Sequence, residues 1–337
     1  MMDKRTLGSV GPQVSAIGLG LMGMSDMYGP AEETESIGTI RAALDAGITL
    51  LDTGDFYGMG ANEMLLRDAL RGRSRENVTI SVKFGAQRDP QGNWLGYDAR
   101  PVAVKTALSY TLKRLGTNYV DVYRPARLDA KVPIEETVGA IAEMVDAGYV
   151  RYIGLSEVGA ETIRRANTVH PIADLQIEYS LLSRGIEDEI LPVCRELGVG
   201  ITAYGVLTRG LLSGHWSKDR TLTSNDFRAF GPRFSGENLD HNLRLVEALR
   251  GIADEKGVSV AQIAIAWVLG RGTDIVPLIG ARSRDRLTEA LGSLNVELSA
   301  EDLKRIEGAI PAGSAKGDRY PAHAMAQLDS ERRTTKA

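Results

Sequence analysis

Three polar residues in the first quarter of the chain have the types and spacing needed to donate a proton. Asp52 and Tyr57 lie in the segment LLDTGDFYG, and Lys83 lies in the segment SVKFG. A tyrosine with an ordinary pKa of about 10 is a poor acid at neutral pH. A neighbouring ammonium group would lower the pKa of Tyr57, and Asp52 would keep Lys83 charged and oriented. The three side chains could then protonate an oxyanion as it forms.

Each of these residues also has a structural explanation when it is taken alone. An aspartate near a glycine at a strand end is common in turns, and a single tyrosine needs no function. Lys83 is harder to explain, because burying an unpaired lysine in a strand is costly. We therefore interpret the three residues as one site. Since no side chain supplies a hydride, a reduction here would need a bound nicotinamide.

Eight segments typical of strands alternate with helical segments along almost the whole chain. This order predicts an α/β fold, a closed (β/α)8 TIM barrel whose chemistry gathers at the carboxyl ends of the strands. Asp52 ends the second predicted strand, Tyr57 follows it and Lys83 ends the third, so the barrel would bring them to one rim. The predicted strands are Ile17 to Leu19, Thr49 to Asp52, Val78 to Lys83, Val120 to Arg124, Tyr152 to Leu155, Leu175 to Tyr179, Gly200 to Ala203 and Ile275 to Ile279.

The segments outside these strands lead to further expectations. Residues 4–16 predict an N-terminal β-hairpin that could close the bottom of the barrel. The connections at residues 85–100 and 205–240 are unusually long, and we expect them to be structureless binding loops on the active face. Residues 1–325 are predicted to form a single barrel domain. The polar tail, residues 326–337, is expected to be disordered.

A glycine motif near the first strand needs a separate interpretation. Gly18, Gly20 and Gly23 satisfy the G-x-G-x-x-G spacing of a dinucleotide-binding turn. A true fingerprint opens a helix at once, whereas helical signal here begins only near Ala31, so we reject a Rossmann fold. The glycines would still let a ligand approach the backbone closely.

Charge and composition exclude several classes of partner. Lys and Arg total 40 against 44 Asp and Glu, so no positive field attracts nucleic acid or an anionic membrane. The N-terminus lacks the apolar core of a signal peptide, and no apolar run is long enough to span a bilayer. We therefore expect a cytoplasmic protein with no nucleic-acid or membrane partner, able to form homo-oligomers. The single cysteine, Cys194, has no partner for a disulfide or a metal cluster, and no metal site is expected.

From Arg5 to about Ile310 the chain resembles the aldo/keto reductases. The resemblance is carried by VSAIGLGLMGM at residues 14–24, LLDTGDFYG at 50–58, SVKFG at 81–85, GYVRYIGLSE at 148–157 and LQIEYSLLSR at 175–184. It implies a (β/α)8 barrel, NADPH as cofactor, and Tyr57 as general acid beside Lys83 and Asp52. It also implies that Ser156 and Gln176 bind the nicotinamide amide and that Tyr204 stacks on the nicotinamide ring.

Further cofactor contacts follow from the same resemblance, at the ends of the first, seventh and eighth strands. Charge supports those at the eighth, in PLIGARSRDRLTEA, because Arg282 and Arg286 flank a helix start whose free N–H groups favour anions. These arginines match the family's 2′-phosphate clamp, which favours NADPH over NADH, while Glu289 matches its adenosine contact. Ala290 departs from the usual asparagine. The remaining implied contacts are Gly20, Leu21, Met22, Gly205, Leu207, Arg209, Gly210 and Gly280.

One departure from the family pattern affects the chemistry directly. Most relatives carry a histidine on the fourth strand that reaches the substrate carbonyl, whereas this chain reads DVYRPARLD, with Ala126 in that place. Chains of this form resemble a subgroup related to pyridoxal reductases. The loss of one oxyanion donor typically costs a few kcal/mol. Arg127, Arg124 or a bound water would have to replace it, and Arg127 ranks first because it lies nearest the mouth.

These observations lead us to expect an NADPH-dependent oxidoreductase that reduces an aldehyde or ketone to the alcohol. Its substrate pocket would contain Arg127, Trp94, Tyr97 and Tyr320. One alternative is an NADPH-binding regulatory or channel-associated subunit with weak turnover. Another is a barrel isomerase or aldolase that uses Lys83 as a Schiff-base amine.

Overall fold

The predicted strands form a closed barrel of parallel strands. The computed structural model describes residues 2–25, 27–223 and 226–332. Barrel strands β3, β4, β5, β8, β9, β10, β11 and β12 follow one another around the ring, and β12 closes it against β3. This confirms the predicted (β/α)8 fold. The strands are β1 (Lys4–Thr6), β2 (Gln13–Ser15), β3 (Gly18–Gly20), β4 (Leu50–Gly54), β5 (Thr79–Phe84), β6 (Ala86–Arg88), β7 (Trp94–Tyr97), β8 (Val120–Pro125), β9 (Val150–Ser156), β10 (Ile172–Glu178), β11 (Gly200–Tyr204) and β12 (Ile275–Gly280).

Helices cover the outside of the barrel, and an apolar layer between helices and strands forms the main core. Their ends follow local rules: capping boxes at Ser259 and Ser299 start two of them, and Gly116 ends another with a left-handed backbone. No helix in the described ranges is both long enough and apolar enough to cross a bilayer. The helices are α1 (Glu33–Asp45), α2 (Ala61–Ala69), α3 (Pro101–Leu115), α4 (Ile134–Asp146), α5 (Ala160–Val169), α6 (Ile190–Leu197), α7 (Gly236–Glu255), α8 (Val260–Leu269), α9 (Arg284–Leu291), α10 (Ala300–Ala309) and α11 (Ala322–Met325).

The N-terminal hairpin closes the amino end of the barrel, as predicted. Strands β1 and β2 pair antiparallel, and Leu7 and Val14 pack against the barrel residues Leu50 and Val276 in one buried cluster. The turn at Gly8 requires glycine, because its φ is +65° and an added Cβ would lie 2.3 Å from a backbone oxygen. Ligands must therefore enter from the opposite, carboxyl end.

The expectation of two structureless loops is wrong. Residues 85–100 contain the antiparallel hairpin of β6 and β7, and residues 205–240 contain short 3₁₀ helices at Thr208–Ser213, Phe227–Phe230 and Pro232–Phe234. The hairpin is held partly by its aromatic contacts, since Trp94 lies against Phe56 and Arg88. Contacts of this kind depend on the barrel and leave little trace in local sequence.

The expected disorder from residue 326 onward is also wrong for the part of the tail that the structure describes. Leu328 and Asp329 are buried, and Asp329–Glu331 forms a 3₁₀ turn. The Asp329 carboxylate accepts hydrogen bonds from Gly159 N at 2.8 Å and Thr162 Oγ1 at 2.7 Å, which caps the start of α5. Residues 333–337, also predicted to be disordered, lie outside the described residues.

Candidate active site

Asp52 and Lys83 meet at the carboxyl rim, where β4 and β5 end. Both are buried, and the Lys83 ammonium donates a hydrogen bond to Asp52 Oδ1. Gln176, on β10, completes the group: its Nε2 donates to Asp52 Oδ2 at 2.7 Å, and its Oε1 accepts from Lys83 Nζ at 2.9 Å. Burial lowers the pKa of Lys83, and the Asp52 carboxylate partly offsets this. Mutual hydrogen bonding of this kind makes buried charge tolerable.

A second polar layer lies inside the barrel beneath this group. Ser81 donates to Asp52 Oδ2 at 2.8 Å and accepts from Arg124 Nη2 at 2.9 Å. Arg124 also pairs with Asp174 at 3.0 Å across the barrel, and both side chains are fully buried. Arg124 therefore supports the floor of the site, and its donors do not reach the mouth to replace the missing histidine.

Tyr57 lies beside Lys83 at the same rim. The Lys83 Nζ atom is 5.1 Å from the centroid of the Tyr57 ring, which is buried and makes an edge-on contact with Phe56. We expected Lys83 to lower the pKa of Tyr57, and the direction is wrong. Burial raises the pKa of Tyr57 well above its ordinary value, Asp52 raises it further, and Arg127 lowers it only in part. Because Asp52 balances the charge of Lys83, desolvation decides the outcome and keeps Tyr57 a neutral phenol.

Arg127 lies next to Ala126, directly after β8. Its Nη1 donates to the Ala126 carbonyl at 2.6 Å and to Ser156 Oγ at 3.4 Å, and its Nη2 donates to the Tyr320 hydroxyl at 3.3 Å. Of the two arginines considered as replacements for the histidine, this one lies at the mouth, as its position after the strand predicts.

The residues expected around the nicotinamide lie at or near the carboxyl ends of neighbouring barrel strands. Gln176 lies opposite the fully buried Ser156 in the register of β10 and β9, and Tyr204 ends β11. The Tyr204 hydroxyl donates to Glu157 Oε1 at 2.6 Å and lies 2.8 Å from the Tyr320 hydroxyl. These bonds fix the Tyr204 ring at the rim.

Glu157, Glu178, Arg209 and Arg319 form a buried group that we call the mouth cluster. Arg319 donates to both oxygens of Glu157, at 3.0 and 2.9 Å, and to Glu178 at 3.2 Å. Arg209 donates to Glu178 at 3.0 Å. Burial alone would raise the pKa of Glu157, but Arg319 holds it well below the usual range. The cluster ties the tail of the chain to the ends of β9 and β10.

The loop after β11, which contains the predicted contacts Gly205, Leu207, Arg209 and Gly210, has a strained backbone. Thr208 and Arg209 have φ of 47° and 54°, in the left-handed region where residues other than glycine are uncommon. Such strain clusters at ligand sites. On the other side of the rim, the predicted contacts Gly20, Leu21 and Met22 run from the end of β3 into a 3₁₀ turn, and Leu21 N donates to the Asp52 carbonyl at 2.9 Å.

Four arginines lie close together where the adenosine end of the cofactor is expected, beside Gly280 at the end of β12. Burial lowers the pKa of Arg220, and the nearby Arg228, Arg282 and Arg286 lower it further. The carboxylates paired with this group are Asp226, at 2.6 Å from Arg228, and Glu289, at 2.9 Å from Arg286. Arg282 donates instead to the backbone carbonyls of Tyr28 and Pro30. The group therefore has an excess of positive charge that suits a phosphate.

Aromatic residues form the outer wall beside Tyr57. Trp94 lies 5.8 Å from Phe56, whose ring is 4.7 Å from that of Tyr57. Tyr97 follows on the same hairpin, where burial raises its pKa and Arg127 opposes the shift. The four residues predicted to line the substrate pocket, which include Arg127 and Tyr320, are thus connected to Tyr57 through ring contacts or electrostatic interactions.

Several residues of the site were not predicted from the sequence. Glu157 and Glu178 stand at strand ends within the quoted motifs, and two acidic residues there require cationic partners, which was the available signal. Ser81 carried no signal, since a serine in a strand is unremarkable until its neighbours are known. Arg220 and Arg228 belong to a long connection whose path could not be predicted.

Comparisons with known proteins agree with this geometry. Residues 16–311 match the sequence model of the Aldo/keto reductase family. The chain is 42% identical over 315 residues to Probable aldo-keto reductase 1 of Glycine max, covering 93% of this chain and 90% of that protein. Among solved structures, a glycerol dehydrogenase from Gluconobacter oxydans superposes with a TM-score of 0.83 at 26% identity, covering 99% of each chain. An aldo-keto reductase from Bacillus halodurans gives 0.76 at 28% identity, covering 93% of this chain and 98% of that one.

The barrel, its rim and these similarities define the class of protein: the chain belongs to the aldo/keto reductase family. It is accordingly an oxidoreductase of carbonyl compounds, in a family that generally uses a nicotinamide cofactor.

Proposed function

We propose that this protein reduces an aldehyde or ketone to the alcohol with NADPH, and that Tyr57 donates the proton. The observation that carries the proposal is the buried contact of Tyr57 with the Asp52–Lys83–Gln176 group at the rim of the barrel. A phenol in such a place can protonate an alkoxide as it develops.

In the proposed reaction the bound cofactor supplies a hydride to the carbonyl carbon, and the residues of this chain provide and stabilise the proton donor. The carbonyl oxygen takes the proton from the Tyr57 hydroxyl, which leaves the alcohol and a phenolate beside the Lys83 ammonium. The ammonium stabilises that phenolate, while Asp52 and Gln176 keep Lys83 in position. The Tyr57 phenol is afterwards restored by a proton from solvent.

The side chains available at the two ends of the expected cofactor site support NADPH as the cofactor. The concentration of arginine at Arg220, Arg228, Arg282 and Arg286 exceeds the acidic groups paired with it, which supports binding of an additional phosphate at that end. At the other end, Ser156, Gln176 and Tyr204 would hold the nicotinamide.

The contacts of Lys83 argue against the Schiff-base alternative. Its Nζ atom donates to Asp52 and Gln176 and lies within a buried ion pair. A Schiff-base amine must be free to attack a carbonyl, whereas Asp52 and Gln176 both bind the Lys83 Nζ atom. The regulatory alternative predicts NADPH binding with little turnover, and steady oxidation of NADPH with a panel of aldehydes would exclude it.

The proposed role of Tyr57 is tested by Tyr57→Phe. Removing the hydroxyl should lower kcat by roughly 10² to 10⁴, the usual contribution of a general acid. Tyr110→Phe, at an exposed tyrosine on α3, is the matched control and should behave as wild type. A near-normal rate for Tyr57→Phe would show that another group donates the proton.

The preference for NADPH is tested by Arg282→Ala. The variant should bind NADPH more weakly and bind NADH almost unchanged, because NADH lacks the 2′-phosphate. Arg284→Ala is a suitable control, since Arg284 is exposed and pairs with Glu35 at 2.8 Å. Equal weakening of both cofactors, measured by fluorescence titration, would place the phosphate site elsewhere.

A further inference from the structure

Arg127 is a cation at the active-site mouth with no carboxylate partner in the part of the chain that the structure describes. Within that part its hydrogen-bond acceptors are the Ala126 carbonyl and the hydroxyl groups of Ser156 and Tyr320, at 2.6, 3.4 and 3.3 Å. All three acceptors are neutral. A partly buried guanidinium gains more from a charged acceptor than from these groups.

The neighbouring cations differ from Arg127 in this respect. Lys83 is paired with Asp52, Arg209 with Glu178, and Arg319 with Glu157. Around the reacting hydroxyl, the Asp52–Lys83 pair contributes no net charge. Glu157 acts on Arg127 electrostatically, but its two carboxylate oxygens bind Arg319. Among the described residues, Arg127 is therefore left without an ion pair beside the place where a substrate would lie.

Arg127 is also close enough to act on the reacting groups. Burial raises the pKa of both Tyr57 and Tyr97, and the positive charge of Arg127 opposes part of that rise in each of them. Its guanidinium carbon lies 5.9 Å from the ring of Tyr320, at the edge of the same opening. The charge of Arg127 therefore acts at the Tyr57 hydroxyl itself.

We propose that the natural substrate is a carbonyl compound bearing a carboxylate, which Arg127 binds while Tyr57 protonates the carbonyl oxygen. This inference rests on the proposed reductase function and specifies its substrate class. A guanidinium that forms no ion pair matches the single charge of a carboxylate, which it can bind through two parallel hydrogen bonds. The wall formed by Phe56, Trp94 and Tyr97 favours an aromatic or short apolar frame.

The test compares carboxylates with their neutral esters. The probes are 2-, 3- and 4-formylbenzoate and the three corresponding methyl formylbenzoates, with NADPH oxidation measured for wild type, Arg127→Met and Arg127→Lys. The position of the carboxylate scans its distance from the aldehyde. Wild type should favour at least one carboxylate over its ester by roughly 10- to 100-fold in kcat/KM, the usual size of a charged hydrogen bond.

The quantity that tests the proposal is the ratio of kcat/KM for a carboxylate to kcat/KM for its ester, whatever the absolute rate of a variant. In Arg127→Met the ratio should fall to about 1, and Arg127→Lys, which keeps the charge, should recover part of it. Arg151→Met, at an exposed arginine at the opposite end of β9, should leave the wild-type ratio intact. A wild-type ratio at or below 1 for all three isomers, or an unchanged ratio in Arg127→Met, overturns the proposal while the reductase function stands.

A binding measurement distinguishes a failure of the proposed carboxylate recognition from a failure of the proposed reductase function. Calorimetric titration with 4-(hydroxymethyl)benzoate and its methyl ester, with and without NADP⁺, reports recognition of the carboxylate without turnover. Tighter binding of the acid that is lost in Arg127→Met supports the carboxylate site even if no probe is reduced. Equal binding of acid and ester contradicts it.

Discussion

Asp55 lies two residues before Tyr57 and has a carboxyl oxygen, Oδ1, that is buried with no hydrogen-bond partner among the described residues. Its other oxygen accepts from Gly85 N at 3.3 Å. Burial, with a contribution from the nearby Glu63, raises the pKa of Asp55 to about 7. This single residue therefore links the stability of the catalytic loop to pH.

The sign of the linkage leads to a test with Asp55→Asn. Because the folded protein holds the Asp55 proton more tightly than the unfolded chain does, its contribution is largest below about pH 4 and is lost as pH rises through about 7. The asparagine side chain does not titrate, so the variant does not lose this stability as pH rises. The difference in free energy of unfolding between variant and wild type should therefore increase, in favour of the variant, by up to about 1.4 kcal/mol per pH unit in that window. Urea denaturation at pH 5, 6, 7 and 8 measures it.

Asp219→Asn, at an exposed residue, serves as the control for Asp55→Asn. Its stability should follow wild type across the same series. Curves for Asp55→Asn and wild type that stay parallel from pH 5 to 8 would mean that Asp55 is ionised throughout.

Residue identities near the catalytic group could be predicted from sequence, whereas their electrostatics could not. Asp52, Tyr57 and Lys83 stand at strand ends, so their convergence followed from the barrel alone. The pKa of Tyr57 depends instead on whether desolvation or the field of Lys83 is larger, and that balance is set by partners such as Gln176. Gln176 comes from a strand 93 residues away from Lys83, beyond the reach of local pattern.

Among the elements, the tail at residues 317–332 contributes most to the site beyond the barrel itself. Arg319 joins the mouth cluster, Tyr320 contacts Tyr204, and Ser330 donates to Glu157 at 2.6 Å. Disorder was expected only from residue 326 onward, because the end of the tail is polar. Asp329 is in fact buried and Ser330 is bonded to Glu157, an arrangement that hydrophobic pattern alone does not reveal.

Arg319→Met tests how much this element stabilises the protein. Removing the guanidinium leaves Glu157 buried without its main counter-charge and takes one of the cations away from Glu178, so we expect a loss of about 3 to 5 kcal/mol in the free energy of unfolding. Arg305→Met is the surface control, since Arg305 pairs with Glu255 in solvent, and its denaturation midpoint should not change.

Adding Glu157→Gln to Arg319→Met separates charge from packing. The double variant should recover part of the lost stability, because one buried charge is then removed. If it is no more stable than the single variant, the loss comes from packing of the arginine side chain rather than from the unpaired carboxylates.

At the scale of the whole molecule, the alternation of strands and helices was sufficient to predict the barrel and the face that carries the site, while the pattern of residues 4–16 predicted the N-terminal hairpin. Parallel β/α units leave few other ways to close, so pattern determines topology. The additions to the barrel were harder to predict. The β6–β7 hairpin and the tail depend on contacts that exist only after the ring has closed, such as that of Trp94 with Phe56.

The bond between Glu157 and Ser330 spans 173 residues of sequence. A chain that has closed its ring but not yet received the tail would hold Glu157 and Glu178 near each other with only part of their balancing charge, and Tyr204 would lack its contact with Tyr320. Closing the ring is therefore not enough to complete the site, because its charge balance is finished only when the last described residues of the sequence reach the rim.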